Sequence, residues 1–157
     1  MILTMLLTPH VFIGLVIAKL LPNPYLAIPV ALLSHFLGDI TPHWDFFSKT
    51  RREERLRGWR PIAVMAEFGL AIAVGVFFVT RALWLQRDPK AALLGLICGI
   101  MAVLPDALEA PYIYTDKAPL FIKRLTDVQR KLQTQAPMLL GIILQLLIIS
   151  ACLLYLL

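Results

Sequence analysis

The chain has 157 residues, 59% of them hydrophobic and 16% charged, with a net charge of +5 and a mean hydropathy of +0.78. Soluble domains carry about 25% charged residues, so the composition excludes an ordinary water-soluble enzyme and points to one membrane-embedded domain over residues 1–157. The two cysteines, Cys98 and Cys152, lie within apolar runs and form neither a disulfide framework nor a cysteine metal motif.

The N-terminal stretch is apolar but has no basic n-region and no small-residue cleavage site, so it is expected to be retained. Two short apolar runs follow, residues 11–21 and 27–40, joined by Pro22-Asn23-Pro24. Each is marginal for the roughly 20 residues that a span requires. They read as two short helices or as a hairpin that enters and leaves by one face. Residues 61–85, 91–108 and 137–157 are long enough to cross a bilayer. The expected fold is all-α, a compact bundle of about five hydrophobic helices plus one amphipathic helix. That last helix covers 121–135, with Phe121, Leu125, Val128 and Leu132 as its apolar stripe. It either lies along the cytoplasmic surface or packs on the bundle as a lid. In the second case Gln129 and Gln133 approach the site described next.

The connecting loops alternate in charge. Residues 44–60 carry Lys49, Arg51, Arg52, Arg55, Arg57 and Arg60, and residues 109–136 carry Lys117, Lys123, Arg124, Arg130 and Lys131. The opposite side has Lys19, Arg81, Arg87 and Lys90. The positive-inside rule then places both basic loops and the N-terminus in the cytoplasm and the C-terminus outside. Such loops bind anionic lipid headgroups. No nucleic-acid partner is expected, because the cations are divided between two short loops without a recognition motif.

Ionisable residues in apolar segments are costly and mark function. Here they are concentrated. His10 opens the first run, and the second ends in Ser34-His35-Phe36-Leu37-Gly38-Asp39-Ile40-Thr41-Pro42-His43-Trp44-Asp45. Glu67 lies two turns into the third, while Asp106 and Glu109 close the fourth. His35 and Asp39 share a helix face at i and i+4, as do Asp106 and Glu109 at i and i+3. Pro42 is expected to end or bend the helix before His43. Imidazole nitrogen with carboxylate oxygen suits zinc first, with manganese and iron as alternatives. Under the charge-derived topology all these residues fall at one membrane face.

Thr8-x-His10, His35-x-x-x-Asp39-x-x-Pro42-His43-x-Asp45 and Leu104-Pro105-Asp106 resemble the motifs of the YdjM-type, LexA-regulated membrane-bound metal-dependent hydrolases. The resemblance covers residues 8–110 and implies a bacterial inner-membrane protein. It also implies a distant likeness to zinc-dependent phospholipase C and the zinc single-strand nucleases. Those enzymes carry a second histidine-plus-carboxylate helix, for which the nearest equivalent here, Asp106 with Glu109, lacks a histidine. The expectation that follows is a hydrolase acting at the cytoplasmic face on a phosphoester of lipid character. His35, Asp39 and His43 are its core metal ligands, and His10 and Asp106 complete a site for one or two ions. Asp45, Glu67 or Glu109 serves as general base. The alternative is a non-catalytic metal- or proton-handling protein, or a structural subunit. A proton path requires polar groups across the membrane, and the outer halves of the segments offer Arg81, Gln145 and Ser150 alone.

Overall fold

The computed structural model describes residues 6–47, 54, 57–112 and 117–157. Among them six α-helices account for nearly all regular structure: α1 (Leu7–Leu20), α2 (Pro24–Ile40), α3 (Arg60–Thr80), α4 (Pro89–Glu109), α5 (Leu120–Leu132) and α6 (Met138–Leu156). A π turn, Arg81–Leu85, extends α3, and a 3-10 turn, Ala110–Tyr112, extends α4. The expected helices are all present, with boundaries set by local chemistry. Asn23 caps α2 by accepting the Tyr25 amide, and Pro24 fills its first position. Asp88 and Pro89 start α4 in the same way. Helix α2 stops at Ile40, one residue short of the Thr41-Pro42 pair, because a residue preceding proline is driven out of the α region.

Three helical stretches are long and apolar enough to cross a membrane: Arg60–Leu85, Pro89–Tyr112 and Met138–Leu156. Helix α1, at 14 residues, spans only about 21 Å, and its place in the bundle explains why so short a segment suffices. It packs against α2, α3, α4 and α6, so it is the central helix and its neighbours shield it. The first two segments are therefore two packed antiparallel helices. Val11, Phe12 and Leu15 of α1 form a core cluster with Ala71 and Phe78 of α3 and Leu156 of α6. Ile17 forms a second with Ala27 and Ala31 of α2 and Leu94 and Cys98 of α4. The outer faces are apolar too. Leu33 and Leu37 of α2, Met65 and Phe68 of α3 and Leu146 and Leu154 of α6 are all exposed. A surface of that kind suits lipid and is a liability in water.

End-to-end contacts give the helix directions. Lys19 at the end of α1 donates to Tyr155 O at 2.6 Å, and Arg81 donates to Leu156 O and Leu157 O, so α1, α3 and α6 finish together. Cations at the last carbonyls of α6 complement its macrodipole. At the opposite end the start of α1 meets the ends of α2 and α4, which run the other way.

Close approach of α1 and α4 depends on Gly14, where an added Cβ would lie 2.6 Å from Cys98 O and 2.9 Å from the Ala102 Cβ. We expect Gly14→Ala to lower stability by about 1–3 kcal/mol, the cost of overpacking a filled interface. Gly99→Ala, whose Cβ meets nothing within 4 Å, is expected to be neutral. Thermal unfolding of the two variants in detergent checks this pair.

Candidate metal centre

The polar residues converge where the start of α1 meets the ends of α2 and α4. His10, His35, Asp39, His43 and Glu109 are almost wholly inaccessible, and Asp45 and Asp106 are buried. The His10 and His35 rings stack with centroids 4.3 Å apart. Room for this stack comes from Gly38, because a Cβ there would fall 2.7 Å from His10 Cε1. Asp39 faces the Nε2 edges of both rings, with Oδ1 3.6 Å from His10 Nε2 and Oδ2 3.5 Å from His35 Nε2. Asp106, from α4, places Oδ1 3.3 Å from the same His35 nitrogen.

The hydrogen bonds settle the tautomer of His35. Its Nδ1 lies 2.9 Å from Ala102 O, and a carbonyl only accepts, so Nδ1 carries the proton. In the neutral ring Nε2 then presents a lone pair toward Asp39, Asp106 and Gln129. A ligand imidazole oriented by a backbone carbonyl on its other nitrogen is the usual arrangement in metal sites. His43 is held in the same tautomer, since its Nδ1 donates to Thr41 O at 2.9 Å.

His10, His35 and Asp106 each bring a donor atom within 4.8 Å of the other two, and these three can hold a metal ion. Asp39 touches both histidines. His43 lies outside that group. Its backbone pairs with the α5–α6 connection, accepting from Ala136 N at 2.9 Å and donating to Thr134 O at 3.1 Å, in an isolated parallel bridge with Gln135. The expected order is thus rearranged: His10 and Asp106 stand at the centre with His35, and His43 stands to one side. The chain leaves the helix at Thr41, where the backbone becomes extended ahead of Pro42, and this breaks the i+4 spacing that would have continued the face of His35 and Asp39.

The three acid–base candidates are placed differently from one another. Glu67 accepts the Thr8 amide at 2.7 Å and so caps the start of α1 from α3. Asp45 accepts the Phe47 amide through Oδ1. Glu109 lies one turn beyond Asp106 and faces Thr126, whose hydroxyl is donated to Ile122 O at 2.9 Å. Neither carboxylate oxygen of Glu109 makes a hydrogen bond to the protein. The same holds for both oxygens of Asp39 and for Asp106 Oδ2. Among the described residues no lysine or arginine pairs with these three carboxylates. Buried carboxylates are strongly unfavourable unless paired with or coordinated to a cation. The donor set therefore fits a divalent metal.

Helix α5 closes the site as a lid. Its inner face is Ile122, Thr126 and Gln129; of the expected stripe Leu125 and Leu132 are half-buried beside that face, while Phe121 and Val128 are exposed. The packed face is rotated away from the most apolar one because the bundle end it covers is polar. Gln129 was legible only as a residue that a lid would bring near. It donates through Nε2 to His35 Nε2 and to Asp106 Oδ1, both at 2.9 Å. Gln145 also belongs to this end of the bundle, donating to Trp44 O at 2.9 Å. Of the loop cations expected to hold a headgroup, Lys49, Arg51, Arg52 and Arg55 lie outside the described residues. No protein-family model, curated protein or solved structure matches this chain.

Metal binding to the native state raises stability by mass action, about 2.7 kcal/mol at a hundredfold excess over Kd. Added zinc is expected to raise the Tm of wild type and of His43→Ala, and to leave that of His35→Ala unchanged. Thermal scans of the three proteins with and without zinc check the separation of roles.

Proposed function

We propose that this protein is a membrane-bound, metal-dependent hydrolase that acts on a phosphoester of lipid character at the cytoplasmic face of the bacterial inner membrane. The observation that carries the reading is the cluster of three buried carboxylates without a lysine or arginine partner among the described residues, set beside two stacked histidines. The motif resemblance of residues 8–110 points the same way. His10, His35 and Asp106 would hold the ion, with Asp39 bridging the histidines, and zinc, manganese or iron matches these donors. Such an ion supplies Lewis acidity toward a phosphoryl oxygen and acidifies a water. Glu109, next to Asp106 and without a hydrogen bond of its own, is the carboxylate best placed to accept a proton.

A lipid substrate is favoured by an apolar groove between α1, α3 and α4. Its cavity volume is about 170 Å3, with Leu7 and Val11 on its floor, Phe68 and Ile72 on one wall and Ile100 and Val103 on the other. Leu7 and Val103 each lie three residues before a metal-binding residue, His10 and Asp106. An acyl or isoprenyl chain in this groove would run toward the centre. The proton- or metal-transport alternative lacks such support. At the far end Lys19 and Arg81 are engaged with the last carbonyls of α6, and Gln145 lies at the site end instead, donating to Trp44 O.

The test is hydrolysis of long-chain phospholipids and isoprenoid phosphates, measured beside a short-chain soluble analogue. Metal-loaded wild type is expected to cleave at least one long-chain substrate, and chelation to abolish cleavage. Gly99→Leu, whose Cβ meets nothing within 4 Å at a position lining the groove, should lower long-chain turnover about tenfold and spare the analogue. Loss of both activities to the same extent would argue against the groove. No cleavage of any phosphoester by loaded protein would remove the hydrolase reading.

A further inference from the structure

Gln129 is 2% exposed and reaches the metal centre from α5, a helix that none of the motif residues occupies. Its Nε2 lies 2.9 Å from His35 Nε2 and 2.9 Å from Asp106 Oδ1. These residues are two of the three whose donor atoms can meet at one ion. With His35 Nδ1 protonated toward Ala102 O, the neutral ring that a metal requires has one lone pair, on Nε2. That pair accepts a hydrogen bond or binds a cation, and cannot do both.

An amide has a second face. The Gln129 Oε1 is buried and makes no hydrogen bond to the protein. A half-turn about the last side-chain torsion exchanges Oε1 and Nε2 while the rest of the residue stays in place. The group beside His35 and Asp106 is then a carbonyl oxygen, which is a metal ligand where the NH2 was a competitor. His10 and Asp39 need not move for this exchange.

Resting on the metal reading above, we propose that Gln129 is a further protein ligand of the ion, delivered by the α5 lid. Two nitrogens and two oxygens, from His10, His35, Asp106 and Gln129, make a closed four-ligand site, and a catalytic site needs an open position. Gln129 is therefore the displaceable ligand. With α5 seated the site is closed, and withdrawal of Gln129 gives one coordination position to substrate or water. The geometry of α5 matches that role. Its exposed apolar residues, Leu120, Phe121 and Val128, and its cations Lys123, Arg124 and Lys131 project away from the bundle, as in a helix that rests at a lipid–water interface.

The test is titration of detergent-purified wild type, Gln129→Met and Gln129→Glu with Co2+, followed by its visible absorption, and with zinc by competition. Elution and thermal unfolding confirm that each variant is folded. Gln129→Met, similar in size without an amide, is expected to weaken binding about tenfold or more, given that even indirect partners of metal ligands are worth 10–100-fold. Its Co2+ spectrum should also shift as one protein ligand is lost. Gln129→Glu, which restores an oxygen donor, should bind at least as tightly as wild type. Equal or tighter binding by Gln129→Met, with an unchanged spectrum, would overturn the proposal and make Gln129 a plug or a bystander. Wild type that binds no ion would remove the metal reading itself, a result distinct from wild type and Gln129→Met binding alike.

Discussion

Everything at one end of this bundle depends on the burial of three carboxylates in a place that gives them too few partners. Asp39, Asp106 and Glu109 come from two helices, α2 and α4, and their unpartnered oxygens would oppose folding. Two stacked histidines from α1 and α2 relieve part of that cost, and under the proposed reading a divalent cation would relieve the rest. The surrounding helices are shaped to keep this arrangement. Gly38 leaves space for the His10 ring, Ala102 O fixes the His35 tautomer, and Glu67 holds the first turn of α1 through the Thr8 amide. Changing any of these would move a side chain of the cluster without altering the cluster residues themselves.

The same constraint orders the helices. A central α1 that carries only 14 residues must be covered on all sides, and covering it brings the ends of α2 and α4 to its start. The polar end is then roofed by α5, whose inner face is a mixture of Ile122, Thr126 and Gln129. The opposite end is held by different means. Lys19 and Arg81 bind the terminal carbonyls of α6, so the bundle is closed by apolar packing and cationic capping there, away from the chemistry.

Most of the helices were legible in the sequence because long apolar runs bounded by Pro and Asn leave little choice. Pro24 and Pro89 mark starts, and Thr41-Pro42 marks a stop. The convergence of polar residues at one end was legible too, from the alternation of basic loops. The ordering of the ligands was not. Local spacing favours His35, Asp39 and His43, because sequence shows i+4 periodicity and not the turn that carries His43 to the α5–α6 connection. The pairing of His10 with His35 is a tertiary contact between residues 25 apart, made possible by Gly38. Gln129 was legible only under the lid alternative, for a similar reason. Its helix has its strongest apolar pattern on Phe121 and Val128, while the packed face is chosen by the polar surface beneath it.

The central claim is that the cluster exists to hold a cation, and elemental analysis of detergent-purified protein tests it most directly. Wild type should carry about one equivalent of zinc, manganese or iron, and folded Asp106→Asn should carry far less. Stringently purified wild type that holds no metal, and takes up none when all three are supplied, would contradict the account.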